Sequence, residues 1–269
     1  MPTVADPLAD PLADPPTVAA MLSDQERFLF DLRGYLVLRG VLPPKQVARM
    51  QADLASHRIL ATTNDPFRSR FHGYLDWSDD WRGLIDHARV LPVLRAIIGE
   101  KFRLDHTYGM AMSASGETGG EGLHHEAALF DHGCYYTTHG NRMHNGLVVV
   151  SYALADVPAG AGGFCCIPGT HKTLYPLPPA WFGALDNPLL EQVPLAAGDV
   201  VVFTESLAHG TLPWTLTSHE RRAVLLKYAP AYMQWSKSPQ VAADRTRMTA
   251  RQQAILAPAE MWERPPIAG

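Results

Sequence analysis

Apolar positions along the chain follow two regimes, one on either side of Lys101. Before it they recur at helical spacing. In "SDQERFLFDLRG", Ser23 stands as N-cap with Glu26 three residues on, Phe28, Leu29 and Leu32 lie to one side, and Gly34 is the stop. That pattern predicts a short helix. "YLVL", from Tyr35 to Leu38, predicts a strand. "PPKQVARMQADLASH" opens on proline and carries Val47, Met50 and Leu54 at helical spacing, which predicts a second helix. "VLPVLRAIIG", residues 90–99, predicts a third with Pro92 in its first turn.

Beyond Lys101 the apolar runs are short, rich in Val, Tyr, Phe and Thr, and separated by glycine and proline: "FRLDHTYGMAMSA", "NGLVVVSYALAD", "GGFCCIPG", "DVVVFTE" and "RRAVLLKYAP". These are strand signals. Helices followed by many strands, without βα alternation, predict an α+β protein with helices packed on one side of a β-sandwich or barrel. No GxGxxG, GxxxxGK[ST] or GxSxG contradicts that reading. Residues 1–20, a proline-broken Ala-Asp-Pro-Leu repeat, read as a flexible tail, and residues 21–269 as one domain.

Composition narrows the function more than the fold. With 269 residues, 46% of them apolar, the chain can bury one large core. A net charge of −4 gives no basic footprint for nucleic acid or an anionic membrane, so the expected partner is a small molecule, with the protein a monomer or homodimer. Three cysteines, Cys134 and the adjacent Cys165 and Cys166, lack the spacing of a disulfide framework and suit a reducing cytoplasm. No run is long and apolar enough to predict a membrane span.

The chemistry concentrates in "GLHHEAALF", residues 122–130. Side chains two apart share a face of a strand, so His124 and Glu126 would point inward together and His125 away. His209, just after the apolar run of "LAAGDVVVFTESLAHGT", offers a third ligand. Two histidines and a carboxylate on one face of an ion leave positions open for a cosubstrate and oxygen, as non-haem Fe(II) oxygenases require. A 2-oxoacid chelating that iron would leave a far carboxylate for a guanidinium to meet, and Arg221 and Arg222 open the strand after His209. Alternation turns one inward and the other outward.

With these stretches in this order, the chain resembles the phytanoyl-CoA dioxygenase-like family of Fe(II)/2-oxoglutarate oxygenases over roughly residues 22–230. The matching pieces are "LSDQERFLFDLRGYLVLRGVLPPKQVARMQADL", "LPVLRAIIGEKFRL", the H-x-acid step in "LHHE", "GGFCCIPGTHK", and "AAGDVVVFTESLAHGT" followed by "RRAVLLKY". The resemblance implies a double-stranded β-helix (jelly-roll, cupin-like) core. It also implies iron bound by His124, Glu126 and His209, the distal carboxylate of 2-oxoglutarate on Arg221, and a helping hydroxyl from Thr211. Two departures stand out. Arg221 falls one residue later than the family spacing, which keeps Arg222 in play, and glutamate replaces the usual aspartate. A His125-x-Ala127 frame would instead resemble relatives that admit chloride and halogenate.

Tyr108, Met110 and Met112 alternate along one strand and would share a face, with Tyr108 a candidate for the cosubstrate pocket. The polar segment "DHGCYYTTHGNRMHNG" reads as a loop over the pocket mouth. Its Arg142 is a candidate for an anionic group of the substrate, with His144, and the following Asn145 and Tyr152, as further substrate contacts. The expected reaction is hydroxylation of an unactivated C–H bond with release of succinate and CO2. Desaturation or cyclisation are other endings, and the competing classes are the halogenase and a non-redox cupin-like binding protein. The segment from Tyr232 onward, with "RTRMTARQQAILAP", predicts a helix that closes the pocket or packs a dimer.

Overall fold

The computed structural model describes residues 22–57, 68–114, 120–125, 133–237, 242 and 244–268. The tail expected at residues 1–20 lies outside them. The elements in order are α1 (Asp24–Arg33), β1 (Tyr35–Leu38), α2 (Pro44–Ser56), β2 (Arg68–Phe71), α3 (Asp79–Arg82), α4 (Leu91–Ile97), β3 (Phe102–Met112), β4 (Glu121–His124), β5 (Tyr136–His139), β6 (Arg142–Asn145), β7 (Val148–Ala153), β8 (Gly163–Cys166), β9 (Glu191–Gln192), β10 (Val200–Thr204), β11 (His209–Leu212), β12 (Arg221–Pro230) and α5 (Ala250–Ile255). The capping box reads true. The Ser23 hydroxyl accepts from the Glu26 amide, the Glu26 carboxylate accepts from the Ser23 amide, and Gly34 ends α1 in the left-handed region.

Three antiparallel sheets form from these strands. The largest has the order β1-β10-β7-β12-β3-β2, a second runs β4-β11-β8-β9, and β5 with β6 makes a two-stranded ribbon. One face of the six-stranded sheet carries Val148, Val150, Tyr152, Val200, Val202, Val224, Leu226 and Tyr228. It packs under the helices against Phe30, Met50, Trp81, Leu94 and Ile255. Each such side chain taken fully out of water contributes roughly 1.5–3 kcal/mol. The other face carries Met110, Met112, Val149, Val201, Phe203, Ala223 and Leu225, which meet Phe164, Cys166 and Val193 of the smaller sheet. The functional pocket opens in this second layer. Among the described residues no helix is long and apolar enough to cross a membrane.

The expected helices therefore cover one side of the larger sheet. Two expectations need correction. The segment read as a loop over the pocket is partly a hairpin: Tyr136 pairs with Asn145 and His139 with Arg142, around Gly140 and Asn141 at φ 56° and 60°. Backbone angles of that kind in a two-residue connection are what a right-twisted hairpin needs. The C-terminal helix α5 lies on the helix-side core and does not close the pocket. Gln252 donates to the Arg82 carbonyl at 3.2 Å and to Asp86 Oδ1 at 2.8 Å, and Ile255 joins the helix-side core. All three cysteines are buried.

Gly109 of β3 holds the edge of the large sheet by having no side chain. It pairs with Phe71, and a Cβ there would lie 2.0 Å from the Phe71 ring. Phe71 in turn meets Tyr74, Trp77 and Trp81 edge-on or stacked. Gly109→Ala is expected to displace β2 and lower stability by about 1–3 kcal/mol, the usual range for overpacking. A chemical denaturation curve within about 0.5 kcal/mol of wild type, the scatter of ordinary surface changes, would refute this.

Candidate active site

Pairing of β11 with β4 sets His209 directly opposite His124, and pairing with β8 sets it opposite Cys166. The two imidazoles lie 4.2 Å apart between ring centroids. His124 Nδ1 bonds the Gly122 carbonyl at 2.9 Å and His209 Nδ1 bonds the Leu207 carbonyl at 2.7 Å. A carbonyl only accepts, so each Nδ1 carries the proton and each Nε2 keeps its lone pair for an ion. Burial holds His209 down at about 4, so it stays a neutral ligand at neutral pH. A ring free to bind a cation is what a metal site needs.

Glu205 supplies an acidic oxygen to the same place. Its Oε2 lies 3.9 Å from His209 Nε2, and ligand atoms of His124, Glu205 and His209 all fall within 4.8 Å of one another. Glu126 and Ala127 lie outside the described residues. His124 lines the pocket, whereas its neighbour His125 is buried near the backbone of Ser206 and Thr170. Two imidazoles and a carboxylate in this spacing fit an Fe(II) ion, which prefers nitrogen and oxygen donors with positions left open.

The cavity around them has a volume of about 330 Å³. Along β12 the inward positions run Arg221, Ala223, Leu225 and Lys227, opposite Met112, Met110, Tyr108 and His106 of β3. Val149 pairs with both Lys227 and Phe203, and the Phe203 ring sits 4.8 Å from the His209 ring, so Lys227 stands at the level of the histidines. Arg221 is six residues away along the strand, roughly 20 Å between Cα atoms. The cavity thus has an arginine end and a histidine level.

At the arginine end, Arg221 is buried with its Nη1 3.4 Å from the sulfurs of both Met110 and Met112. Among the described residues no carboxylate lies within ion-pair distance of it, and burial lowers it to about 10, still charged at neutral pH. Gly163 makes room for this side chain: a Cβ there would sit 3.1 Å from Arg221 Nε. Thr211, paired with Phe164, and Tyr108 also face the cavity. Arg222 does not. It points to the opposite face, where it bonds Glu220 at 3.1 Å and lines a wider hollow of about 810 Å³ that neither metal-facing histidine reaches.

Toward the mouth, Arg70 lies over the Tyr108 ring at 4.7 Å and 3.8 Å from Glu121. Buried Asp105 accepts from the amides of Trp235 at 2.9 Å and Ser236 at 2.7 Å, which brings that C-terminal segment to the pocket wall. The expected substrate contacts fall elsewhere. Tyr152 is on the helix side of β7, donating to the Leu84 carbonyl at 3.0 Å, and buried Asn145 donates to the Ile97 carbonyl at 2.7 Å. Arg142 and His144 sit on the ribbon and not among the pocket-lining residues. Glu205, Lys227, Arg70 and Trp235 were missed. An acid four residues before His209, and a lysine an even number of residues after Arg221, were the available signals.

The family model described as phytanoyl-CoA dioxygenase (PhyH) matches residues 30–223. The chain belongs to the phytanoyl-CoA dioxygenase family. It is an Fe(II)/2-oxoglutarate-dependent dioxygenase, with Fe(II) as cofactor and 2-oxoglutarate and O2 as cosubstrates. Similar solved structures share its fold. HygX from Streptomyces hygroscopicus, with nickel and 2-oxoglutarate bound, superposes with a TM-score of 0.71 at 22% identity, covering 83% of this chain and 97% of that one. The epimerase SnoN, in complex with Fe3+, α-ketoglutarate and nogalamycin RO, gives 0.61 at 20% identity, covering 89% and 96%. The carbocyclase SnoK from nogalamycin biosynthesis gives 0.60 at 18% identity, covering 95% and 100%. No curated protein matches the sequence.

Proposed function

We propose that this dioxygenase hydroxylates, or otherwise oxidises, an unactivated C–H bond of a small molecule in the cytoplasm, on a double-stranded β-helix core. In hydroxylation one oxygen atom of O2 enters the product hydroxyl and the other enters succinate, as 2-oxoglutarate loses CO2. The observation that carries the reading is the placement of His124 and His209 at one level of a cavity whose far end holds a buried guanidinium with no carboxylate in ion-pair distance among the described residues. Iron would be held by His124, His209 and a carboxylate, which the family resemblance gives as Glu126. Iron and 2-oxoglutarate supply the oxidising power when bound, which is cofactor chemistry and not side-chain chemistry.

The side chains orient and enclose. The Arg221 guanidinium would take the distal carboxylate in two parallel hydrogen bonds, with Thr211 adding a hydroxyl and Tyr108 forming the wall beside the carbon chain. Met110 and Met112 give Arg221 no competing acceptor stronger than sulfur, so its donors stay available. Phe164, Phe203 and Leu225 keep water from the ring faces of the histidines. The inward placement of His124 supports the His124-x-Glu126 frame over His125-x-Ala127, and hence oxygenation over halogenation.

An anaerobic titration decides between this reading and a non-redox binding protein. The Fe(II)-loaded protein should develop a visible charge-transfer band as 2-oxoglutarate chelates, and admission of O2 should yield succinate. A protein that takes up Fe(II) and 2-oxoglutarate without that band, or with the band but no succinate, would defeat the oxygenase reading.

A further inference from the structure

One hydrogen-bonding atom at the cavity mouth has no part in holding iron or 2-oxoglutarate. His106, on β3, lines the cavity, and its Nδ1 lies 3.1 Å from Asp105 Oδ1. A carboxylate only accepts, so Nδ1 carries the proton and Nε2 keeps a lone pair. Among the described residues no hydrogen-bond partner meets that Nε2. We propose that His106 is a specificity-determining residue whose Nε2 accepts a hydrogen bond from the substrate, and that the group it selects is a neutral hydroxyl on an apolar ring. This rests on the oxygenase reading above and names what its substrate carries.

Asp105 fixes the ring. It is fully buried, and its carboxylate also meets Arg103 Nη1 at 3.1 Å and the amides of Trp235 and Ser236. Burial would raise this carboxyl, but the bonds from His106 and from those two amides outweigh it and hold the group ionised, below the usual carboxylate range. Arg103 balances its charge, so His106 supplies a hydrogen bond and not a second cation. The ring is therefore oriented from behind, with its far nitrogen left for whatever enters the cavity. A polar atom in such a place is satisfied by water or by a ligand.

The neighbours decide the kind of donor. Arg70 Nη2 lies 3.8 Å from Glu121, and Lys227, the cross-strand partner of His106, has its Nζ 2.5 Å from Glu205 Oε1. Each of these cations already has its counter-charge, and an ammonium or carboxylate on the substrate would upset that balance. A hydroxyl would not. Trp235 supplies the apolar part. It lines the cavity, is 42% exposed, and is pinned at its amide by Asp105. Gly133 lets its ring lie close, since a Cβ there would sit 2.6 Å from Trp235 Cε3. A half-open indole beside a fixed acceptor suits an apolar ring that carries a hydroxyl.

Binding of four matched probes to the full-length chain loaded with Zn(II) and 2-oxoglutarate tests this without turnover, by saturation-transfer NMR titration. Cyclohexanol should bind at least about fivefold more tightly than methoxycyclohexane, which cannot donate, the worth of one hydrogen bond. It should also bind more tightly than cyclohexylammonium or cyclohexanecarboxylate. His106→Asn places its amide where Nδ1 stood, so it keeps the bond to Asp105 but loses the cavity acceptor, and cyclohexanol should fall to the level of the ether. His106→Gln, whose carbonyl reaches the place of Nε2, should recover part of the preference. A merely structural His106 predicts the reverse, with Asn near wild type and Gln impaired. That reversal, equal binding of alcohol and ether to wild type, tightest binding of a charged probe, or no binding of cyclohexanol would each overturn the proposal. The wild-type probe series decides alone if neither variant folds. Calorimetry of 2-oxoglutarate on the Zn(II)-loaded chain is read separately: no binding there defeats the oxygenase reading, whatever the probes show.

Discussion

Replacing His124 by alanine removes Fe(II) binding, and with it the 2-oxoglutarate charge-transfer band, while His125→Ala retains both. The asymmetry follows from β4. His124 lines the cavity and its ring lies 4.2 Å from that of His209, with its Nδ1 proton committed to the Gly122 carbonyl. Its only chemical opportunity is at Nε2, toward the ion. Loss of a ligand costs more than the roughly 10–100-fold that outer-shell changes bring to metal affinity. His209→Ala should behave in the same way, since that ring is likewise oriented by the Leu207 carbonyl. His125 is buried away from the cavity, so its truncation should leave a void and lower stability without touching the band. Isothermal titration with Fe(II) under nitrogen, followed by the spectrum with 2-oxoglutarate, checks all three. A band that survives His124→Ala and vanishes in His125→Ala would transfer the site to the halogenase-like frame.

Arg221→Gln is expected to raise the apparent Kd for 2-oxoglutarate by about 30-fold or more, leaving Fe(II) affinity close to wild type. The estimate comes from truncating one member of a buried, hydrogen-bonded charge pair, which costs roughly 2–5 kcal/mol, at 1.4 kcal/mol per tenfold. Arg221 lies in the second layer with, among the described residues, only methionine sulfur in hydrogen-bonding range, so its donors are available to that carboxylate. Lysine at this position should recover part of the loss: it restores charge but not the two parallel bonds. Arg222→Gln serves as the internal comparison. It points to the other face and bonds Glu220, so 2-oxoglutarate affinity should stay within about twofold of wild type, as expected for an exposed ion pair worth at most ~1 kcal/mol. The two arginines are chain neighbours, so equal effects from both variants would show that the loss is structural.

The amino-acid sequence by itself determined most of the long elements, though not the β5–β6 hairpin. The capping box at Ser23 and Glu26, the proline-led starts of α2 and α4, and the valine runs of β7, β10 and β12 are local signals, satisfied by neighbouring residues whatever the rest of the chain does. It also carried His124, His209 and Arg221 in a recognisable order. Tertiary structure alone decided which faces those residues share. Every residue of β7 is buried, because helices cover one side of the large sheet and the smaller sheet covers the other. Alternation in such a strand is not written as polar against apolar. Tyr152, expected at the pocket, therefore belongs to the helix side, and Ser151 beside it to the cavity. Arg221 and Arg222 posed the same choice, resolved only when β12 lay between β3 and β7. Glu205 and Lys227 are 22 residues apart in sequence and meet because β10 and β12 both pair with β7. Such a meeting depends on strand order and register, which no local pattern encodes.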